Sequence, residues 1–170
     1  MSGRRVVLMR HAKATHPGGV EDQERPLAGR GERDAAALGR WLRTAVGPPD
    51  LAITSPAARA RRTWEVAATE LADPVEVLVE PAAYHADPEG LLELLRSAPE
   101  GARTLVLVGH NPGMHDLALL LSTDGSEDSD DVLSAGFPTS GAVVLAHHGP
   151  WSALDPGQSQ VESSTIARAT

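Results

Sequence analysis

Short apolar runs alternate along the chain with longer stretches in which apolar residues recur at helical spacing. The runs are rich in Val, Leu and Ile and predict β-strands at residues 5–9, 51–54, 75–79, 104–108 and 142–146. The Ala- and Leu-rich stretches between them predict helices at residues 31–46, 56–71, 88–96 and 112–121. This alternation is typical of an α/β fold with a largely parallel sheet.

Polar residues followed by proline mark the expected beginnings of three helices. Ser55, Asp87 and Asn111 each stand directly before a proline, and we expect them to be N-caps. Pro56 and Pro112 then take the first helical position, where the missing N–H of proline costs nothing. Such helix beginnings favour an anion, because their free backbone N–H groups have no partner within the helix.

The length of 170 residues fits one domain with a substantial core. Residues 122–137 are polar and irregular, and residues 156–170 are rich in Ser, Thr and Gln. We therefore expect one domain over residues 1–155. Residues 156–170 are expected to form a polar tail that is disordered or lies loosely on the surface.

The composition excludes several classes of protein. Hydrophobic residues make up 41% and charged residues 22%, which is ordinary for a folded soluble chain. A formal charge of −8 argues against binding to nucleic acid or to an anionic membrane. No apolar run approaches the roughly 18 residues that cross a bilayer. With no cysteine there is no disulfide, thiolate metal site or cysteine nucleophile, and we expect a cytoplasmic protein.

Three of the predicted strands share one design, in which a buried run is followed at once by polar residues and a turn or helix. These polar residues are Arg10 and His11 after the first strand, Ser55 and Arg59 after the second, and His110 after the fourth. Ligands of open α/β sheets bind outside the carboxyl ends of the parallel strands. If the three strands are adjacent, two arginines and two histidines converge there.

Two arginines, two histidines and two helix beginnings are typical of a phosphate site. The planar fork of arginine matches a pair of phosphoryl oxygens. A histidine attacks phosphorus through one ring nitrogen while a backbone carbonyl fixes the other. The remaining cationic groups stabilise the equatorial oxygens during an in-line displacement. No nearby carboxylate cluster suggests magnesium, so the positive charge comes from side chains.

The same segments carry recognisable motifs, which read LMRHAKA at residues 8–14, RPL at 25–27 with RG at 30–31, TSPAARA at 54–60 with Thr63, VGHNPG at 108–113 and FPTSG at 137–141. In this order they resemble the histidine phosphatase superfamily, which is phosphoglycerate mutase-like, and specifically its short SixA-type phosphohistidine phosphatase branch. The resemblance covers nearly everything from about residue 5 to residue 154.

The resemblance implies a fold, an activity and a set of residues. The fold is a single three-layer domain in which a central, mostly parallel sheet is flanked by helices. His11 is the nucleophile that becomes phosphorylated, and water then hydrolyses the intermediate. Arg10, Arg59 and His110 hold the phosphoryl group throughout. No metal and no organic cofactor is implied.

The chain departs from the superfamily in its proton donor. Many members carry a glutamate general acid after the middle strand, before a long lid insertion. Here the comparable stretch reads AAYHAD at residues 82–87, which leaves His85 as the candidate donor and Asp87 as a second. A weak acid suits a good leaving group, such as a phosphohistidine, an acyl phosphate or an aryl phosphate. The missing lid favours an open site that admits a protein-borne substrate.

Several residues keep two interpretations. Arg25 either contacts substrate or pairs with the acidic residues 21–22, and Lys13 at the pocket mouth leaves a similar choice. His16, His147 and His148 suggest a metal site, yet adjacent strand residues point to opposite faces of a sheet. The glycine pair of residues 29–31 does not follow a strand and lacks the further glycines of a dinucleotide-binding loop.

Three functions compete on the sequence alone. The first is a phosphatase that acts on a phosphorylated protein, most simply on phosphohistidine. The second is a phosphomonoesterase for a small phosphate ester. The third is a non-catalytic or weakly active relative that binds a phosphorylated ligand without turnover, and a metallohydrolase is a further alternative. The oligomeric state is not indicated, because no exposed apolar stripe stands out.

Overall fold

The chain is built around one twisted sheet with helices on both faces. The computed structural model describes residues 3–170, so the first two residues of the predicted domain lie outside the described residues. The strands are β1 (Arg4–Arg10), β2 (Leu51–Thr54), β3 (Glu76–Val79), β4 (Thr104–Gly109), β5 (Gly141–His147) and β6 (Gln160–Ile166). The helices are α1 (Gly29–Ala45), α2 (Ala58–Ala68), α3 (Pro88–Arg96), α4 (Gly113–Leu121), α5 (Ser126–Ser129) and α6 (Asp131–Ser134).

The strand order in the described sheet is β3-β2-β4-β1-β5-β6. β4 pairs in parallel with β1 and with β2, and β2 pairs in parallel with β3. β5 is antiparallel to both of its neighbours, so it alone among these strands runs against the others. The predicted α/β domain with a central, mostly parallel sheet flanked by helices is confirmed.

Each face of the sheet buries its own apolar cluster. Along β1, Val6 and Leu8 pack toward α3 and α4, whereas Val7 and Met9 pack toward α1 and α2. Alternate side chains of a strand point to opposite faces, so β1 contributes to both clusters. None of the helices in residues 3–170 is long and apolar enough to cross a membrane.

Three helix beginnings differ from the prediction, and the first is that of α1, which begins at Gly29 rather than at residue 31. α2 begins at Ala58 with Ala57 as its N-cap, so Ser55 is not the cap; its hydroxyl accepts a hydrogen bond from Ala57 N at 3.1 Å, before the helix starts. α4 begins at Gly113, and Pro112 stands at the N-cap position. The prediction for Asp87 is confirmed, because its carboxylate accepts from Gly90 N at 2.8 Å.

The polar segments near the C-terminus are more ordered than the sequence indicates. Within residues 156–170, which were predicted to be a loose tail, residues 160–166 form the edge strand β6, so the prediction is wrong for that part. The polar sequence of β6 suits an edge strand, whose side chains are partly exposed. Residues 122–137, predicted to be irregular, include the short helices α5 and α6.

Candidate active site

The carboxyl ends of three neighbouring parallel strands open into one cavity. β1, β4 and β2 lie side by side, so the residues that follow them come together as expected. The cavity has a volume of about 310 Å³, and all the predicted site residues line it. They are Arg10, His11, Lys13, Arg25, Arg59, His85 and His110, with Ala14, His16, Asn111 and Thr139 completing the lining.

One ring nitrogen of His11 makes a hydrogen bond to the backbone, which leaves the other free to react. Its side chain is buried, with 7% of the residue exposed. Nδ1 lies 2.8 Å from the carbonyl oxygen of Ala12. A carbonyl only accepts, so Nδ1 carries the proton and Nε2 keeps its lone pair.

The charge state of His11 suits a nucleophile. Burial, together with the positive charges of Arg10 and Arg59, lowers the pKa of His11 to about 4, despite the opposing hydrogen bond to Ala12. The imidazole is therefore neutral at pH 7. Its backbone is fixed as well, because His11 N donates to Gly109 O at 3.2 Å and Ser140 N donates to His11 O at 3.1 Å.

Thr63 ties the His11 segment to α2. Its hydroxyl accepts from Ala12 N at 2.9 Å and donates to Arg59 O at 2.7 Å. Thr63 is fully buried, so both bonds are shielded from water. The backbone beside His11 and the backbone of Arg59 are thus held by one side chain.

The first turn of α1 lies directly on the backbone of Lys13. Ala28 N donates to Lys13 O at 2.8 Å. A Cβ at Gly31 would stand 2.1 Å from that same carbonyl oxygen, which no side chain permits. Gly31 is therefore required for this close approach, and a dinucleotide-binding role is not needed to explain the glycine.

The two arginines beside His11 have donors to spare. Arg10 donates through Nη1 to Phe137 O at 3.3 Å, and burial together with the charge of Arg59 lowers the Arg10 pKa. Arg59 is 5% exposed and donates to the backbone oxygen and to the carboxylate of Asp22, at 2.7 and 3.0 Å. The Nε of each arginine is buried and has no hydrogen-bond partner in residues 3–170. Buried N–H donors of this kind are suited to an anion.

His110 stands beside His11 with one nitrogen engaged. Its Nε2 lies 2.7 Å from the hydroxyl of Ser55, whereas its buried Nδ1 has no partner within the described chain. The centroids of the two imidazole rings are 5.1 Å apart. Burial, followed by the neighbouring His11 and Arg59, lowers the pKa of His110 to about 3. Both histidines are therefore neutral at pH 7 and available to a phosphoryl group.

The two candidates for the proton donor occupy different places. His85 is exposed, lines the cavity and packs on Tyr84, with ring centroids 3.9 Å apart. Its φ of 55° lies in the left-handed region. Asp87 caps α3 and lines a neighbouring cavity, which shares His85 and His110 with this one but does not include His11. The geometry therefore favours His85.

The carboxylate of Asp22 binds two arginines and a tyrosine beside the cavity. Asp22 lies in a 3₁₀ turn (Asp22–Glu24), and its Oδ1 accepts from Arg25 Nη1 at 3.0 Å. Its Oδ2 accepts from Arg59 and from the hydroxyl of Tyr84. These bonds, that of Tyr84 first, hold the pKa of Asp22 well below its usual range and raise the pKa of Tyr84.

The chain is similar in sequence to known proteins. The model of the histidine phosphatase superfamily (branch 1) matches residues 6–82, which include Arg10, His11, Arg25 and Arg59. An uncharacterised protein of Mycobacterium tuberculosis is 37% identical over 151 residues, which cover 88% of this chain and 93% of that protein. The chain belongs to the histidine phosphatase superfamily.

Two solved structures place the chain within that superfamily. A proposed phosphohistidine phosphatase SixA from Nakamurella multipartitia is 28% identical, with a TM-score of 0.84, covering 98% of both chains. A proposed SixA from Agrobacterium tumefaciens is also 28% identical, with a TM-score of 0.76, covering 97% of this chain and 99% of that one. The fold is phosphoglycerate mutase-like, and the similarity is to the SixA-type branch.

Asp22 and Asn111 make more hydrogen bonds in the site than the sequence predicted. Asp22 was expected only as an alternative partner for Arg25, and its bonds to Arg59 and Tyr84 were not foreseen. The prediction of Asn111 as the N-cap of α4 is wrong, because Pro112 takes that position. The Oδ1 of Asn111 accepts from His115 N at 3.3 Å, and its Nδ2 donates to Gly136 O and Phe137 O, at 3.0 and 2.9 Å. Asn111 thereby fixes the carbonyl that Arg10 contacts. The only sequence signal for this was its place in the motif at residues 108–113.

Two of the three histidines that suggested a metal site contact other groups. His147 Nε2 lies 2.9 Å from Pro150 O, and its ring stacks on Trp151. His16 lies at the cavity, 3.1 Å from Nη2 of Arg25. Within residues 3–170, no group of three or more His, Asp or Glu side chains is placed to hold a metal ion.

Proposed function

We propose that this protein is a phosphatase that acts through a phosphohistidine intermediate on Nε2 of His11. The observation that carries the proposal is the state of the His11 ring. Nδ1 donates to the Ala12 carbonyl, the ring is neutral, and the cavity that it lines also contains Arg10, Arg59 and His110. Because the attacking nitrogen is already unprotonated, this nucleophile needs no separate base to activate it.

The reaction has two displacements. The lone pair of His11 Nε2 attacks phosphorus, the bond to the leaving group breaks, and the leaving group takes a proton from a donor in the cavity. Water then attacks the phosphohistidine and gives a proton to the group that protonated the leaving group, the P–N bond breaks, and inorganic phosphate leaves. Arg10, Arg59 and His110 stabilise the equatorial oxygens in both steps.

The positive charge for this chemistry comes from side chains in the proposal. Arg10, Arg25 and Arg59 line or border one cavity, and arginine remains charged at every pH of interest. The proposed reaction therefore requires neither a metal ion nor an organic cofactor. Activity that survives a chelator supports this part of the proposal, and activity that a chelator abolishes contradicts it.

The proposed substrate is a phosphohistidine in a protein or another phosphate with a good leaving group. The donor that the cavity offers is an exposed histidine, His85, rather than a buried carboxylic acid. An imidazole leaves as a neutral group once it is protonated, and an aryl oxide is also stable, whereas a sugar alkoxide needs a stronger acid. The two SixA structures, at 28% identity, carry the name phosphohistidine phosphatase, which supports this substrate class.

Trapping the intermediate tests the proposal. The protein is mixed with ³²P-labelled phosphohistidine protein, quenched within milliseconds and separated under alkaline conditions, in which phosphohistidine survives. The wild type is expected to carry a label that acid removes, and His11→Asn is expected to carry none. His148→Asn, an exposed histidine outside the cavity lining, is the matched control and retains the label.

Two results would contradict the proposal. A wild type that binds the phosphorylated protein but never carries an acid-labile label is a binding protein rather than an enzyme. A panel of phosphohistidine protein, aryl phosphate, sugar phosphates and nucleotides, assayed with a chelator present, tests the substrate class. Faster turnover of sugar phosphates than of phosphohistidine makes a small-molecule phosphomonoesterase the better description.

A further inference from the structure

Asp22 contacts three groups of the site while lying outside the cavity lining. It approaches Arg59 with both its backbone oxygen, at 2.7 Å, and its carboxylate, at 3.0 Å. The same carboxylate accepts from Arg25 and from the Tyr84 hydroxyl. Asp22 itself is exposed, so the loop that carries it meets solvent on one side and the buried arginine on the other.

The contact with Arg59 differs from an ordinary surface ion pair. Only 6% of the Arg59 side chain is exposed, compared with 44% of the Asp22 side chain. A buried guanidinium that loses its counter-charge is strongly unfavourable, so Asp22 determines where the terminal nitrogens of Arg59 lie. Arg25, with 18% of its side chain exposed, is held by the other carboxylate oxygen.

Asp22 is also a negative charge close to a site that takes an anion. Of the two terminal nitrogens of Arg59, Nη2 is bonded to the Asp22 carboxylate and Nη1 to the Asp22 backbone oxygen. An arriving phosphoryl group therefore competes with this carboxylate for Arg59 and is repelled by it. Across roughly 6 Å in a partly aqueous site, one such charge changes anion affinity by about tenfold.

We infer that Asp22 is a positioning residue, which orients Arg59 and Arg25 toward the cavity and keeps the affinity of the site for free phosphate low. The inference rests on the proposed function, because it assigns Asp22 to the same reaction. Low product affinity matters in a hydrolase, since phosphate must leave before the next cycle. Asp22 is ionised at pH 7, so it does not donate the proton to the leaving group.

Removing the charge of Asp22 while keeping its shape tests the inference. Inorganic phosphate is titrated into the resting protein, without substrate, by isothermal calorimetry. Asp22→Asn is expected to bind phosphate about tenfold more tightly than the wild type, because the competing carboxylate is gone. In steady-state assays the same variant is expected to show a lower KM and a lower kcat, since the product leaves more slowly.

Two further variants separate charge from structure. Asp22→Glu retains the negative charge, so its phosphate affinity is expected to stay within about threefold of that of the wild type. Glu24→Gln removes a negative charge from the same turn, where no described bond joins Glu24 to a cavity arginine, and it is expected to change phosphate affinity little. Tighter binding in Asp22→Asn alone supports the inference.

The contrary result has the opposite sign. If Asp22 only supports the fold, its loss loosens Arg59 and phosphate binding becomes weaker, which would overturn the inference, as would an unchanged affinity. Equilibrium binding does not depend on turnover, so this outcome is distinct from a failure to trap a phosphoenzyme on His11. An absent phosphoenzyme together with tighter binding in Asp22→Asn overturns the proposed function and retains Asp22 as the residue that limits anion affinity.

Discussion

The active-site cavity is lined partly by residues that continue the central strands and partly by residues on loops. The strand-end side consists of Arg10, His11 and His110, which directly follow or end β1 and β4. The loop side consists of the lining residues Arg25 and His85, together with Asp22 and Tyr84, which contact them from outside the lining. These residues belong to the segments between β1 and α1 and between β3 and α3. The two sides differ in burial and in what holds them.

The strand-end side is fixed by the core of the protein. β1 and β4 are paired along their length, and Val6, Leu8, Val106 and Val108 beneath the site are fully buried. The loop side depends on polar bonds around one carboxylate. In the proposed function, the strand-end side fixes the nucleophile, and the loop side sets anion affinity and supplies the proton donor.

The largest expected effect is on the pH dependence of stability, and it comes from His11 and His110. Their folded-state pKa values are about 4 and about 3, whereas an unfolded histidine titrates near 6.5. Between pH 6.5 and 4 the unfolded chain therefore binds more protons than the folded one, and stability falls as the pH falls. From pH 7 to pH 5 the loss is expected to be about 2–4 kcal/mol, measured by urea unfolding.

Glutamine variants of the two histidines check that assignment. His11→Gln and His110→Gln are each expected to flatten part of the decline between pH 7 and pH 5, because each removes one group that must be neutral in the fold. Equal stability of the wild type at the two pH values would show that the strand-end side does not keep these rings uncharged.

A smaller effect is expected at the link between β1 and α2. Thr63→Val preserves the side-chain shape but removes the hydroxyl that bonds to Ala12 N and Arg59 O. The buried Ala12 N–H loses its partner, so the free energy of unfolding is expected to fall by about 1–3 kcal/mol. Turnover is expected to fall as well, because the backbone beside His11 is released.

Thr69→Val is the matched control for Thr63→Val. Thr69 follows the same helix, and its hydroxyl also donates to a backbone carbonyl, that of Val66, but the residue is exposed. Its free energy of unfolding is expected to stay within about 0.5 kcal/mol of the wild type. Similar losses in both variants would mean that the Thr63 hydroxyl has no special place in the site.

The strand-end side is also the part that the sequence predicts well. A run of buried residues followed by Arg10 and His11 is a local pattern, and the bounds predicted for β2 and α3 coincide with those observed. Once the strands are parallel and adjacent, their carboxyl ends meet at one edge of the sheet. Local pattern and one topological rule therefore suffice to bring His11 and His110 together.

The remaining features depend on contacts between distant parts of the chain. Asp22 meets Arg59 and Tyr84 across 37 and 62 positions of sequence, and no local pattern links them. β6 is polar and forms through backbone bonds to β5, so its side chains give little sign of a strand. Side-chain patterning reports burial, whereas edge strands and polar clusters are defined by their partners.

The smallest effect on stability is expected on the loop side, at His85. His85→Asn suits the positive φ of this position, and because the residue is exposed we expect the free energy of unfolding to change by less than about 0.5 kcal/mol. Its effect on catalysis should depend on the leaving group. Phenyl phosphate needs a proton and is expected to slow by about a hundredfold, whereas nitrophenyl phosphate, with a more stable leaving group, is expected to change little.

Asp87→Asn provides the control that separates the two candidate proton donors. Asparagine caps a helix as well as aspartate does, so α3 retains its cap while the titratable carboxyl is removed. Since Asp87 lies outside the cavity lining, we expect kcat/KM for the two aryl phosphates to change equally, if at all. A dependence on the leaving group that appears in Asp87→Asn but not in His85→Asn would show that Asp87, rather than His85, is the proton donor. The loop side would then act on the leaving group through the N-cap of α3.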